Sequence, residues 1–280
     1  MKLGLGTVQF GQAYGVSNTR GQVSRTEAAA ILARAASAGV KVLDTAANYG
    51  EAETVLGALD TGPFRIVTKT TSVRDGAEAV VARARTSKAV LPQADTLLVH
   101  AAADLDDAEL WPALQRLKQE GVFRRIGIST YFADDPAALA ARFRPDVMQL
   151  PFSLLDQRLL KNGSLARLLE MGVEIHARSL FLQGLMLMPP ASLPAHLRDA
   201  APHLTGLRSR LAAAGTTPLA AALGFVLARP EIAIALVGVT ARDELDEILS
   251  ATALPAPALD WAACAMDDEQ ILTPSLWNRP

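Results

Sequence analysis

The stretch Ser24-Arg-Thr-Glu-Ala-Ala-Ala-Ile-Leu-Ala-Arg-Ala-Ala-Ser-Ala-Gly39-Val-Lys-Val-Leu-Asp44 decides the fold. Ser24 followed by Glu27 reads as a capping box that opens a helix over Ala28–Ser37. Gly39 is placed to stop that helix, and Val40–Asp44 is a short apolar run that reads as a strand. The same helix, stop and strand recur along the chain. Further strand candidates are Leu3–Val8, Ile66–Lys69, Thr96–His100, Ile126–Ser129, Val147–Leu150, Val173–Ala177 and Ile232–Val237. They are apolar nearly throughout rather than alternating, as strands buried on both faces are.

The helices between them carry their own punctuation. Asp106-Asp-Ala-Glu109 and Gly121 bracket the helix before Ile126, and Thr240-Ala-Arg-Asp243 opens a last helix with Leu245, Ile248 and Leu249 on its apolar face. Asp135-Pro136 and Thr217-Pro218 each pair an N-cap residue with proline at the first helical position. Such βα units with right-handed crossovers close most naturally into a (β/α)8 TIM barrel, here one domain over residues 1–280. The alternative is an open doubly wound sheet. Against it, Leu3–Phe10 is not followed by a glycine-rich turn leading into a helix; Gly4 and Gly6 are only a fragment of that fingerprint. One long connection, Phe181 to about Pro218, has the length of a functional lid.

The 280 residues suit a barrel of roughly 250. Half the chain is apolar, which is enough for a large core, and a net charge of −2 gives no reason to expect nucleic acid or a membrane surface as partner. A single cysteine, Cys264, excludes a disulfide framework and reads as a buried thiol. No apolar segment is long enough to span a bilayer. Met1-Lys-Leu-Gly-Leu-Gly6 enters a strand without a signal-peptide core, so a cytoplasmic protein, monomeric by default, is expected. His176, His196 and His203 lack partners at metal-ligand spacings, and no metal site is expected.

In barrels of this type, chemistry sits at the C-terminal ends of the strands. Asp44 ends the second strand with Tyr49 in the loop after it, Lys69 ends the third, and His100 ends the fourth. A carboxylate, a phenol, an ammonium and an imidazole thus meet at one rim, although Asp44 and Lys69 could also form a purely structural ion pair. Lys69, held by Asp44, would set a positive charge beside the Tyr49 hydroxyl, favouring the phenolate and making Tyr49 a general acid. His100 could orient a carbonyl oxygen. That set suits carbonyl reduction, and since no side chain supplies hydride, a nicotinamide cofactor is implied.

Leu43-Asp-Thr-Ala-Ala-Asn-Tyr-Gly-Glu-Ala-Glu53 resembles the D-T-A-x-x-Y-G-x-x-E signature of the aldo-keto reductase superfamily. Ile66-Val-Thr-Lys69, Leu97-Leu-Val-His100, Gly127-Ile-Ser129, Met148-Gln-Leu-Pro-Phe152, Gln183-Gly-Leu185 and Leu236-Val-Gly238 continue the likeness in order, most like its bacterial branch. The resemblance implies NAD(P)H-dependent carbonyl reduction with Asp44, Tyr49, Lys69 and His100 catalytic. It places Ser129, Thr130 and Gln149 at the nicotinamide carboxamide, with Gly6 and Thr7 near the same end. Ser179, Leu180 and Gln183 would follow the pyrophosphate, and Gly238, Thr240 and Arg242 the adenosine.

The chain also departs from the family. Arg178 stands where an aromatic residue commonly lies beneath the nicotinamide; its charge would favour reduced cofactor or reach an acidic substrate. Thr130 replaces the usual Asn. Gly238, Glu244 and Ile248 stand where basic or amide groups are common, leaving Arg242 to meet a 2′-phosphate and Glu244 to oppose one. NADP(H) is favoured by the resemblance, with NAD(H) the alternative. Gln9, Phe10, Tyr131 and Trp277 are candidate substrate-pocket residues, together with Tyr14 and Phe152 on the rim loops; Trp277 would equally serve as a docking anchor on the barrel exterior. A small-molecule carbonyl is the expected substrate. A cofactor-binding sensor, or a non-redox isomerase or lyase, is the competing function.

Overall fold

The computed structural model describes residues 1–277. Eight parallel strands form a closed barrel in sequence order: β1 (Leu3–Gly6), β2 (Val42–Asp44), β3 (Arg65–Lys69), β4 (Ala94–Val99), β5 (Arg125–Ser129), β6 (Val147–Pro151), β7 (Glu174–Arg178) and β8 (Ile232–Gly238). Closure sets Leu3 beside Ala235 and Gly6 beside Gly238. The expected strands all form, within a residue or two of their anticipated ends. β1 stops early, at Gly6: Thr7 still donates its N–H and its hydroxyl to the Asp44 carbonyl, at 2.9 and 3.0 Å, but its own carbonyl accepts from Phe10 N at 2.9 Å and opens a turn. Val8–Gly11 then makes a single helical turn rather than more strand.

Period-two alternation sorts each strand into two faces. Leu43, Ile66, Leu97, Ile126, Met148 and Ile175 point outward and pack with the surrounding helices into the main core. Their neighbours Val42, Val67, Leu98 and Val147, with Ile234, make a separate apolar layer within the barrel. Nearer the N-terminal ends the inward positions are charged: Glu174 binds both Arg65 and Arg125, and Arg125 also binds Asp95, which lies at the β3–β4 register shift. Two residues after the apolar layer, the same parity turns Asp44, Lys69, Gln149 and His100 to the C-terminal mouth. Placement of the candidate site therefore follows from strand register.

The helix opened by Ser24 runs Arg25–Ser37, and the Ser24 hydroxyl accepts from Glu27 N at 3.2 Å. The other half of the capping box does not form: the Glu27 carboxylate instead accepts from the backbone N–H of Arg242, at 2.6 Å, on the last helix, Arg242–Thr252. Asp135 and Thr217 cap Ala138 N and Ala220 N as expected, each ahead of its proline. The long connection after β7 is largely structured, and Phe181, Gln183, Gly184 and Leu187 from its first part line the cavity at the mouth. It contains short 3-10 turns and a full helix, Ala201–Ala213, whose Leu204, Leu207 and Leu211 are buried. Cys264 is buried, and among the described residues no single helix is long and apolar enough to cross a membrane.

Candidate active site

Lys69 is the centre of the constellation. Its ammonium, 1% exposed, lies 2.7 Å from Asp44 Oδ2, 2.9 Å from the Thr45 carbonyl and 3.3 Å from the Tyr49 hydroxyl. An ammonium has three N–H donors, and each has one partner here. Burial acts to lower the Lys69 pKa, but the Asp44 charge and the Tyr49 oxygen outweigh it and hold the pKa above its ordinary value. Asp44 is fixed from the other side by the Gln149 amide, which donates to Oδ1 at 2.6 Å.

His100 stands at the edge of this group, its ring 5.7 Å from that of Tyr49 and nearly perpendicular to it, at 80°. Burial, then the positive charge of Lys69, lower its pKa to about 4; Arg178 adds to the effect, while Asp44 and the Thr70 hydrogen bond oppose it. The imidazole is therefore neutral at pH 7 and has one N–H to donate.

Backbone contacts locate Tyr49. Gly11 lies against the Tyr49–Gly50 turn so closely that a Cβ on it would fall 1.7 Å from the Tyr49 carbonyl oxygen. Gly50 has φ +53, a left-handed conformation that glycine adopts without strain, and the Gly11 carbonyl accepts from Glu51 N at 3.3 Å. The short helix that follows, Ala52–Gly57, is anchored by Glu53. This buried carboxylate accepts from the hydroxyls of Thr68, at 2.6 Å, and Ser87, at 3.0 Å, and pairs with Arg83. The last residue quoted in the signature-like stretch thus ties the Tyr49 loop to the strand that carries Lys69.

A cavity of about 770 Å³ opens over the four groups, lined by Asp44, Tyr49 and His100. Gly6, Ser129, Gln149, Arg178, Ser179, Leu180, Gln183, Gly238 and Thr240 also line it, as do Gln9, Tyr14 and Tyr131. Other expected residues lie outside its walls. Thr7 is fully buried beneath Asp44. Thr130 is buried, its carbonyl accepting from Arg178 Nη2 at 2.8 Å. Phe10 packs in the core, and Phe152 stacks on Phe225. Trp277 is buried and is not part of the cavity lining, its indole N–H donating to the Ile271 carbonyl at 3.1 Å. Arg242 points outside, 56% exposed, with Nε 3.6 Å from Asp246.

Several lining residues lie on rim loops that the strand-end argument passes over: Gln12, Asn18, Ser72 and Asp104. Asp104 holds the loop after β3 by accepting from Val73 N at 3.2 Å and from the Ser72 hydroxyl at 3.3 Å. The loop 12–20 is tied across the mouth, where Val16 N and Ser17 N donate to the Gln183 carbonyl at 3.1 and 3.4 Å. Arg178 lies over the Tyr131 ring, its guanidinium carbon 4.4 Å from the centroid. The cavity is large enough for an extended dinucleotide. Gln9 Oε1 on its wall and Thr130 Oγ1 behind it are buried without a protein partner.

Comparison with known proteins agrees with this geometry. The sequence profile of the Aldo/keto reductase family matches residues 2–266. An aldo-keto reductase of Mycolicibacterium smegmatis is 28% identical over 153 residues, 50% of this chain and 54% of that protein, so the match spans about half the length of the curated relative. An aldo-keto reductase structure from Pseudomonas aeruginosa superposes with TM-score 0.66 at 25% identity, over 90% of this chain and 89% of that one. The holo form of an aldo-keto reductase from Bacillus halodurans superposes with TM-score 0.74 at 24% identity, covering 94% and 90% of the two chains. The chain belongs to the Aldo/keto reductase family.

Proposed function

We propose that the chain is an NAD(P)H-dependent carbonyl reductase, and in reverse an alcohol dehydrogenase, acting on a small aldehyde, ketone or sugar-like carbonyl. The observation that carries this reading is the buried ammonium of Lys69, held by Asp44 and donating to the Tyr49 hydroxyl at 3.3 Å. Ser129, Gln149, Arg178, Ser179 and Gln183 would hold the cofactor, which when bound supplies or accepts the hydride.

Tyr49 gives its hydroxyl proton to the substrate oxygen as negative charge gathers there. The phenolate left behind is stabilised by Lys69, whose own charge Asp44 keeps in place. Neutral His100 donates its N–H to the same oxygen and orients the carbonyl. In the reverse direction the phenolate takes the alcohol proton.

Tyr49→Phe tests this directly. Turnover of aldehydes, followed by loss of NADH or NADPH absorbance, should fall by about 10²–10⁴-fold, while the dinucleotide dissociation constants change little. Unchanged turnover would refute Tyr49 as the acid. Product formed without dinucleotide consumption would establish proton-transfer chemistry instead.

A further inference from the structure

Building on the reductase activity proposed above, we infer that this chain takes its dinucleotide as NAD(H) in preference to NADP(H), because the cavity end remote from Tyr49 presents acceptors where a 2′-phosphate needs donors. With the nicotinamide near Tyr49 and His100, the adenosine half falls to the other side of the mouth, where β8 leads into the helix Arg242–Thr252. NADP differs from NAD only by a phosphate on that half. Near neutral pH this phosphate carries close to two negative charges, and its oxygens act chiefly as acceptors.

Barrels commonly bind phosphate after strands seven and eight, using free N–H groups at a helix N-terminus. Here two of the backbone donors at that turn, Thr240 and Arg242, are occupied by carboxylates. Thr240 donates both its N–H, at 2.6 Å, and its hydroxyl, at 2.8 Å, to Glu244. Arg242 donates its N–H to Glu27 at 2.6 Å. Glu244 and Glu247 both line the cavity, whereas Arg242 does not and faces Asp246, which Arg34 also pairs.

An independent observation comes from Gln9. This side chain is nine-tenths buried, lines the same cavity, and leaves Oε1 without a protein partner. Its amide covers Gly238, where a Cβ would lie 2.8 Å from Nε2, so it sits on the wall just ahead of Thr240. An orphaned acceptor is satisfied by a ligand donor. The 2′- and 3′-hydroxyls of an adenosine ribose are donors to Gln9 and to carboxylates; a dianionic phosphate is not. Among the described residues, the cations on the cavity wall are Arg178, stacked on Tyr131, and Arg20, exposed on the loop 12–20.

The test is a titration of the whole protein with NADH and with NADPH, followed by protein fluorescence at low and high salt. NADH should bind at least about tenfold tighter. Added salt should tighten NADPH by screening repulsion while leaving NADH nearly unchanged. Glu247→Gln should narrow the gap by strengthening NADPH, and 5′-AMP should outcompete adenosine 2′,5′-bisphosphate. NADPH binding as tightly as NADH or more tightly would overturn the inference and leave the reductase activity standing, and a selective loss of that NADPH binding in Arg20→Ala would assign the 2′-phosphate to Arg20. Binding of neither dinucleotide would overturn both.

Discussion

Replacing Lys69 with methionine keeps most of the buried volume and removes one charge. The Asp44 side chain is 7% exposed, so solvent compensates poorly for the loss of an ammonium 2.7 Å from Oδ2. Asp44 would keep Gln149 at Oδ1 and lose its counter-ion, leaving an uncompensated carboxylate inside the barrel mouth. Breaking a buried pair from one side costs about 3–5 kcal/mol, which for a chain of this size lowers Tm by roughly 6–15 °C. Adding Asp44→Asn to that variant removes the stranded charge, and the double variant should recover at least half of the loss. Thermal and urea unfolding of parent, single and double variants measure both quantities, and turnover of the single variant should fall about 10²-fold or more. A single variant within about 1 kcal/mol of the parent, or a double variant no more stable than the single, would refute the reasoning.

At the opposite end of the barrel, Glu174 is held to a pKa of about 2 by the His176 hydrogen bond and then by Arg65 and Arg125, against the opposing effect of burial. Its folded pKa is depressed, so the stabilisation is complete above the unfolded value near 4.5 and is lost as pH falls toward 2. Glu174→Gln should therefore cost about 1–2 kcal/mol at pH 7 after allowance for solvent screening, and should flatten the acid limb of a Tm-against-pH curve. Arg178→Gln removes a charge that lowers the His100 pKa; NMR titration of the imidazole should move upward from about 4, and acidic carbonyl substrates should lose more kcat/KM than neutral ones. Trp277→Ala removes a buried side chain and its bond to Ile271, so it should destabilise by about 3–5 kcal/mol while KM stays within twofold to threefold of the parent; a selective rise in KM would return Trp277 to the substrate pocket.

The barrel was legible because strands covered on both faces leave uninterrupted apolar runs, and Gly39 or Gly121 marks where each helix yields to the next strand. The positions of Asp44, Lys69 and His100 were legible for the same reason, since each ends such a run. What escaped depends on partners distant in sequence. Glu27 has capping-box spacing, yet the N–H it meets belongs to Arg242, 215 positions later. Gln149 was expected at the cofactor, but it also fixes Asp44, a contact created by strand order around the closed sheet. Trp277 and Phe10 share the composition of pocket walls and core alike, and only packing separates the two. Val8 looked like strand because its side chain is apolar, whereas the turn there is closed by backbone bonds, Phe10 N donating to the Thr7 carbonyl.

The Gly11 contact has a consequence for how such a site can diversify. The position of Tyr49 is fixed by main chain against main chain, between the turn after β1 and the turn after β2. The residues that follow, from Gln12 to Arg20, form a separate wall of the same cavity. That wall could be exchanged, lengthened or grafted from another barrel without moving Tyr49, the proposed proton donor, provided the two glycines are left alone. On the proposed function, substrate range and proton donation would then be carried by different parts of the chain, and new specificities could be sampled without disturbing the acid.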